Sequence, residues 1–255
     1  MGIRLWRTRS SVVADERVEA APEPTIEAPS VTPPKRGGLP VTNEPSVTSS
    51  IVEPAISPAP TRPTQKTYEL GDWTQLHSAI DECQNCELAQ SCSRKVPGKG
   101  AQQAGLMIIG EAPGHEEDRQ GKPFVGRAGQ LLDRMLEAIE IDPASVYITN
   151  ILKCRPPNNR DPKPDEVVAC SQFLQAQIRL VKPRVIFSVG RISAQNLLHN
   201  QTPVGRLRGQ SMTLPGTDIP LRVTYHPAYL LRNPAEKAKA WEDLKALRRL
   251  LNDSV

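Results

Sequence analysis

Short apolar runs that end in glycine or a small polar residue recur along this chain, and stretches with helical spacing follow them. Leu106-Met107-Ile108-Ile109 ends at Gly110, and Val146-Tyr147-Ile148-Thr149, Arg184-Val185-Ile186-Phe187-Ser188-Val189 and Leu221-Arg222-Val223-Thr224-Tyr225 repeat the form. An apolar run without alternation marks a strand buried on both faces. Between the first two runs, Leu131, Leu132, Met135, Leu136 and Ile139 fall on one stripe of a helix over Arg127 to Glu140. Pro164 opens a second helix over Asp165 to Val181, Ile192, Ala194, Leu197 and Leu198 mark a third, and residues 235–251 form a closing amphipathic one. Strand and helix in alternation imply a parallel sheet with helices on both faces. The expected fold is therefore a three-layer α/β/α arrangement around a mostly parallel, four-stranded sheet.

Composition divides the chain. Eleven of its 25 prolines lie in residues 1–66, a segment of Pro, Ser, Thr, Val and Glu with no period. Such a segment cannot bury enough apolar surface to offset its chain entropy. Residues 1–66 are read as a disordered tether whose partner the sequence does not name, and residues 67–255 as the folded domain. No apolar stretch of the kind that crosses a membrane occurs, and the basic start lacks the apolar core of a secretory signal. A net charge of +4 does not by itself announce nucleic acid. A monomer is expected, in the bacterial cytoplasm and with the nucleoid.

In doubly wound folds, ligands sit beyond the carboxyl ends of the strands. Here those ends carry Gly110-Glu111-Ala112-Pro113-Gly114, Thr149-Asn150, Ser188-Val189-Gly190 and His226-Pro227-Ala228-Tyr229. The five cysteines are too few for a disulfide scaffold. Cys83 and Cys86 form a CxxC before the first strand, Cys92 follows, Cys154 comes just after the second strand, and Cys170 lies on the next helix. A CxxC with two distant thiolates can make a four-sulfur cage for zinc or for a [4Fe–4S] cluster, and spacing does not separate the two.

These motifs together resemble the family 4 uracil-DNA glycosylases, the iron–sulfur branch of the uracil-DNA glycosylase superfamily. The matching stretches are Gly110-Glu111-Ala112-Pro113-Gly114, Gly121-Lys122-Pro123-Phe124-Val125-Gly126, Tyr147-Ile148-Thr149-Asn150 with Lys153-Cys154-Arg155-Pro156-Pro157, and His226-Pro227-Ala228-Tyr229. The resemblance covers about residues 80–250. It implies a monofunctional glycosylase that cleaves uracil from single- or double-stranded DNA in base excision repair.

The resemblance also implies roles. Gly110, Glu111 and Ala112 belong to the uracil and water site, Phe124 to the stacking surface, and Asn150 to the reading of the uracil edge. A flipped base needs such a pocket. His226 would aim a donor at uracil O2 as charge develops there. Glu111 and His226 are thus the catalytic candidates, with Glu111 either a base for water or only its holder. Cys83, Cys86, Cys154 and Cys170 match the ligands of a structural [4Fe–4S] cluster, and Cys92 is left over. For DNA, Ser188 and Gly190 precede a helix whose amides suit a phosphate. Arg206 and Arg208 form a basic pair. Leu230, Leu231 or Arg232 would fill the vacated stack.

Two rival readings stand beside this one. A binding module without catalysis would not need Glu111 and His226 together. A zinc-dependent nucleotide enzyme needs a His-x-Glu triplet followed by Pro-Cys-x-x-Cys, and the His115-Glu116-Glu117 triplet has no such cysteine pair after it.

Overall fold

The structure, a computed structural model, describes residues 65–253. Nearly all of the segment read as a tether lies outside the described residues.

Helix α1 (Trp73–Glu82) begins at Asp72, whose carboxylate accepts the Gln75 amide at 2.8 Å. A short helix α2 (Leu88–Ser91) follows, then strand β1 (Lys99–Gly100) and strand β2 (Leu106–Gly110). Helices α3 (His115–Gln120) and α4 (Arg127–Glu137) lead to β3 (Tyr147–Asn150). The long helix α5 (Pro164–Val181) precedes β4 (Val185–Val189), α6 (Arg191–Leu198) and α7 (Val204–Leu207). The chain closes with β5 (Met212–Thr213), β6 (Pro220–Thr224), α8 (Pro227–Arg232) and α9 (Lys237–Asp253).

The strands form one sheet in the order β1-β3-β2-β4-β6-β5. The four inner strands are parallel, and the two rim strands run antiparallel to their neighbours. The expected four strands are all present, and the count is corrected to six. The rim strands have two residues each, too short to show a pattern in sequence.

Alternation along each inner strand divides the core in two. Met107 and Ile109 of β2 face a cluster with Leu76 and Ile80 of α1, Phe173 of α5 and Leu197 of α6. Leu106 and Ile108 face the opposite cluster, with Leu132 and Leu136 of α4, Leu230 of α8, and Leu244 and Leu247 of α9. Ile108, Phe187 and Ile186 are fully buried. Side chains of this kind contribute about 1.5–3 kcal/mol each when removed from water.

Helix α5 starts with Pro164 at its first turn, and Glu166 accepts the Lys163 amide at 2.8 Å. Arg160 grips the same carboxylate at 2.5 and 2.9 Å. That grip fixes the loop between β3 and α5, which borders the site described next.

Candidate active site and cysteine cage

The parallel register brings Gly110 opposite Asn150, Ile109 opposite Ser188, and Val189 opposite Thr224. The strand-end loops therefore leave the sheet on one rim. A cavity of about 420 Å3 opens there, and Glu111, Ala112, Phe124, Asn150, His226 and Arg232 line it.

Gly110 lies behind two of these lining side chains. A Cβ on it would stand 2.4 Å from Asn150 Oδ1 and 2.8 Å from Phe124 Cζ, so both side chains rest against the bare backbone. Phe124 is buried despite lying in a loop, and its φ of 51° is one that side chains with a Cβ rarely adopt. The surroundings hold it there. Glu117 Oε1 accepts the amides of Val125 at 2.9 Å and Gly126 at 3.0 Å, and Lys99 Nζ donates to the Phe124 carbonyl at 3.1 Å.

His226 lies two residues past β6 and caps α8, with Pro227 at the first helical position. Its Nδ1 accepts the Ala228 amide at 3.1 Å, which leaves the proton of the neutral ring on Nε2. Burial, and then the positive charge of Arg232, push its pKa down to about 4, against a smaller pull from Glu117. The ring packs over Gly190, where φ is 99° and a Cβ would meet His226 Cβ at 3.0 Å. The rings of Phe124 and His226 lie 5.7 Å apart at 29°. A base sandwiched between two rings needs about 7 Å at ordinary carbon contact distances. The imidazole is therefore placed to meet the edge of a base stacked on Phe124.

Glu111 is half-buried. Burial pushes its carboxyl up to about 7, the nearby Asp161 adds to this, and Arg191 opposes it. Asp161 and Arg191 form an ion pair at 2.5 Å. Asp161, Arg160, Asn159 and Pro156 make a wall of the cavity that motif reading missed. The only signal was a run of Pro, Asn and Arg directly after a strand.

Several expected DNA contacts do not join this cavity. Ser188 is fully buried, with its hydroxyl bonded to Ser193 Oγ at 2.9 Å, and the Gly190 amide donates to the Thr224 carbonyl at 2.9 Å. Neither of these two groups is free for a phosphate, and the expectation for a phosphate there rests on the amides of α6 that follow them. Arg208 is corrected to a structural role. Its guanidinium meets Asp243 at 2.6 and 3.0 Å, donates to the Lys239 carbonyl, and lies over the Tyr225 ring. Burial raises the Asp243 carboxyl more than Arg208 draws it down, so the pair is a costly one to break. Arg206 is exposed, Leu230 is buried in the core, Leu231 is half-buried, and Arg232 is exposed at the cavity edge.

On the other side of β3, Cys83, Cys86, Cys154 and Cys170 line one small cavity together with Lys153 and Phe173. Cys83 ends α1, Cys154 follows β3, and Cys170 sits on α5. The Lys153 amide donates to Cys170 Sγ at 3.3 Å. Burial pushes the Cys170 thiol up to about 11, helped by the nearby sulfurs of Cys83 and Cys86. Cys92 is not among the lining residues, yet it hydrogen-bonds Cys154, which draws its own thiol down to about 7. Among the described residues no group of three or more His, Cys, Asp or Glu side chains closes into a ready metal site. The four sulfurs line the cavity without converging.

Comparison with known proteins agrees with this geometry. The model of the uracil DNA glycosylase superfamily matches residues 97–245. The type-4 uracil-DNA glycosylase of Pyrobaculum aerophilum is 42% identical over 179 residues, 68% of this chain and 91% of that protein. That of Archaeoglobus fulgidus is 41% identical over 177 residues, 67% and 89% of the two chains. That of Thermotoga maritima is 39% identical over 163 residues, 63% and 83%. With a sheet, a strand-end cavity and a sequence that all agree, the chain belongs to the uracil-DNA glycosylase superfamily, and within it to the type-4 uracil-DNA glycosylases.

Proposed function

We propose that this protein hydrolyses the N-glycosidic bond of uracil flipped out of DNA and leaves an abasic site. The observation that carries the reading is the meeting of Glu111, Phe124, Asn150 and His226 around one cavity, with the imidazole neutral and its Nδ1 already occupied.

Each residue then has a task. Phe124 stacks on the base. The Asn150 amide donates to O4 and accepts from N3–H, a pattern that uracil offers and cytosine does not. As the bond breaks, negative charge grows on the uracil ring, and the Nε2–H of His226 donates to O2. A donor aimed at developing charge lowers the barrier without tightening ground-state binding. Glu111, with its carboxyl near neutrality, accepts the proton of the attacking water. Arg232 and Arg206 contact phosphates, and Leu231 or Arg232 fills the vacated stack. No helix among the described residues is long and apolar enough to cross a membrane. A DNA substrate places the enzyme with the nucleoid, acting as a monomer through residues 67–255, with residues 1–66 as a tether.

By its chemistry, four thiols on one cavity, the donor set fits a [4Fe–4S] cluster, which needs the sulfurs drawn closer together than they stand here. Four cysteines line one cavity, and the buried Lys153 beside Cys170 supplies positive charge to balance anionic thiolates. Cys83, Cys86, Cys154 and Cys170 would hold the cluster. When bound, it supplies a covalent cross-link between α1, the loop after β3, and α5.

The test is incubation with a uracil-containing oligonucleotide followed by alkaline cleavage of abasic sites. Strand breaks are expected only with uracil present, and their absence would overturn the reading.

A further inference from the structure

Lys153 heads the largest fully buried side chains of the described residues, and no step above uses it in substrate recognition. A buried ammonium persists only when all its protons find partners. Here Nζ donates to the Asn150 carbonyl at 2.7 Å, to Gln177 Oε1 at 2.7 Å and to Thr149 Oγ1 at 2.8 Å. Three donors meet three acceptors, and none of them is a carboxylate. Gln177 is anchored in turn, donating to the Pro97 carbonyl at 2.5 Å and to the Tyr147 hydroxyl at 3.1 Å.

The backbone explains the need for a long donor. Beyond β3, the amides of Ile151 and Leu152 continue the pairing to the carbonyls of Gly110 and Glu111, at 3.0 Å each. The Asn150 carbonyl points instead into the protein, where it must find a donor. At the other end of the same turn, the Lys153 amide reaches Cys170 Sγ. One residue thus fastens the main chain of the base reader and seats the turn against the cysteine cavity.

We infer that Lys153 is a positioning residue for uracil: it holds the Asn150 main chain so that the amide stands beside Phe124. The inference rests on the proposed glycosylase reading. The readouts are inhibition by free uracil, kcat and KM on a uracil oligonucleotide, affinity for an abasic oligonucleotide, and the visible absorption of the cysteine-bound cluster.

In the full chain, Lys153→Met is expected to weaken uracil inhibition and lower kcat by about tenfold or more, the effect of losing a bond to a charged donor. Affinity for abasic DNA, carried by phosphate contacts, is expected to stay within about twofold. A folded Lys153→Met protein with parental uracil inhibition overturns the inference. If Lys153→Met does not fold, Thr149→Val removes one acceptor and keeps the ammonium. It should weaken uracil inhibition by about threefold or more, the loss of a modest hydrogen bond, and unchanged inhibition overturns the inference. A parent chain that excises no uracil overturns the glycosylase reading itself. A parent that excises uracil, with variants inhibited as strongly as it is, overturns only the role of Lys153.

Discussion

The Nδ1 atom of His226 accepts the amide hydrogen of Ala228 at 3.1 Å, which decides the ring nitrogen left to act on a substrate. Only Nε2 can donate. Replacing His226 by Ala should lower kcat about 10²–10³-fold, the usual loss for one donor to a developing oxyanion. Affinity for an abasic oligonucleotide should persist. Single-turnover kinetics checks this, and a kcat within a few-fold of the parent would remove His226 from the chemistry.

Glu111 sets the pH dependence. Its carboxyl sits at about 7, raised first by burial and then by Asp161, and only the ionised form accepts a proton. Excision should therefore rise as pH rises through about 7 and fall below it. Asp161→Asn should move this limb to lower pH and Arg191→Ala to higher pH, since Asp161 raises the value and Arg191 lowers it. A kcat/KM profile reads the shifts. Glu111→Gln should abolish the limb, and its survival would rule Glu111 out as the base. Linkage adds a sign. A raised carboxyl favours folding at low pH and loses that contribution as pH climbs through the folded value, so Glu111→Gln should stabilise the fold more at pH 8 than at pH 5.

Gly110 tolerates no side chain. Alanine there would put Cβ 2.4 Å from Asn150 Oδ1 and 2.8 Å from Phe124 Cζ. One of the two must move, and uracil recognition needs both. Gly110→Ala should lose most excision while binding abasic DNA as before. Parallel activity and binding assays separate the two effects.

Cys92 stands beside Cys154 without lining the shared cavity. Cys92→Ser should retain cluster absorption and iron content, whereas Cys154→Ser should lose both. The reverse pattern would reassign the ligands.

Arg206 and Arg208 should behave oppositely. Arg208→Ala leaves the buried Asp243 without its cation and with the Thr224 hydroxyl as its remaining donor, which costs about 3–5 kcal/mol, with no change in the salt dependence of DNA binding. Arg206→Ala should leave stability unchanged and reduce the salt slope by about one phosphate contact. Chemical denaturation and salt titration of binding test the pair.

The inner strands and the pocket residues at their ends were legible because each strand is an apolar run stopped by Gly110, Asn150, Gly190 or His226. The layer arrangement followed from the alternation of those runs with helical spacing. What stayed hidden depends on three-dimensional partners. Arg206 and Arg208 look like one basic cluster in sequence. They flank Leu207 at the end of a four-residue helix, and residues two apart do not share a face. Ser188 reads as a polar strand end until Ser193 takes its hydroxyl. Lys153 looks like another exposed cation of a basic loop, and nothing local says that Thr149, Asn150 and Gln177 surround it. The helix expected to reach Glu140 stops at Glu137, where the chain turns towards a left-handed Glu140.

The two-residue strands β1 and β5 bear on how the molecule behaves at high concentration. Without them, Tyr147–Asn150 and Pro220–Thr224 would each present a row of unsatisfied amides and carbonyls, a template on which another chain could add a strand. Each rim is instead covered over two of its residues by a stub too short to template anything, and at the β1 rim the stub carries Lys99. The sheet thus resists edge-to-edge growth into aggregates while its carboxyl-end rim stays free for a DNA strand.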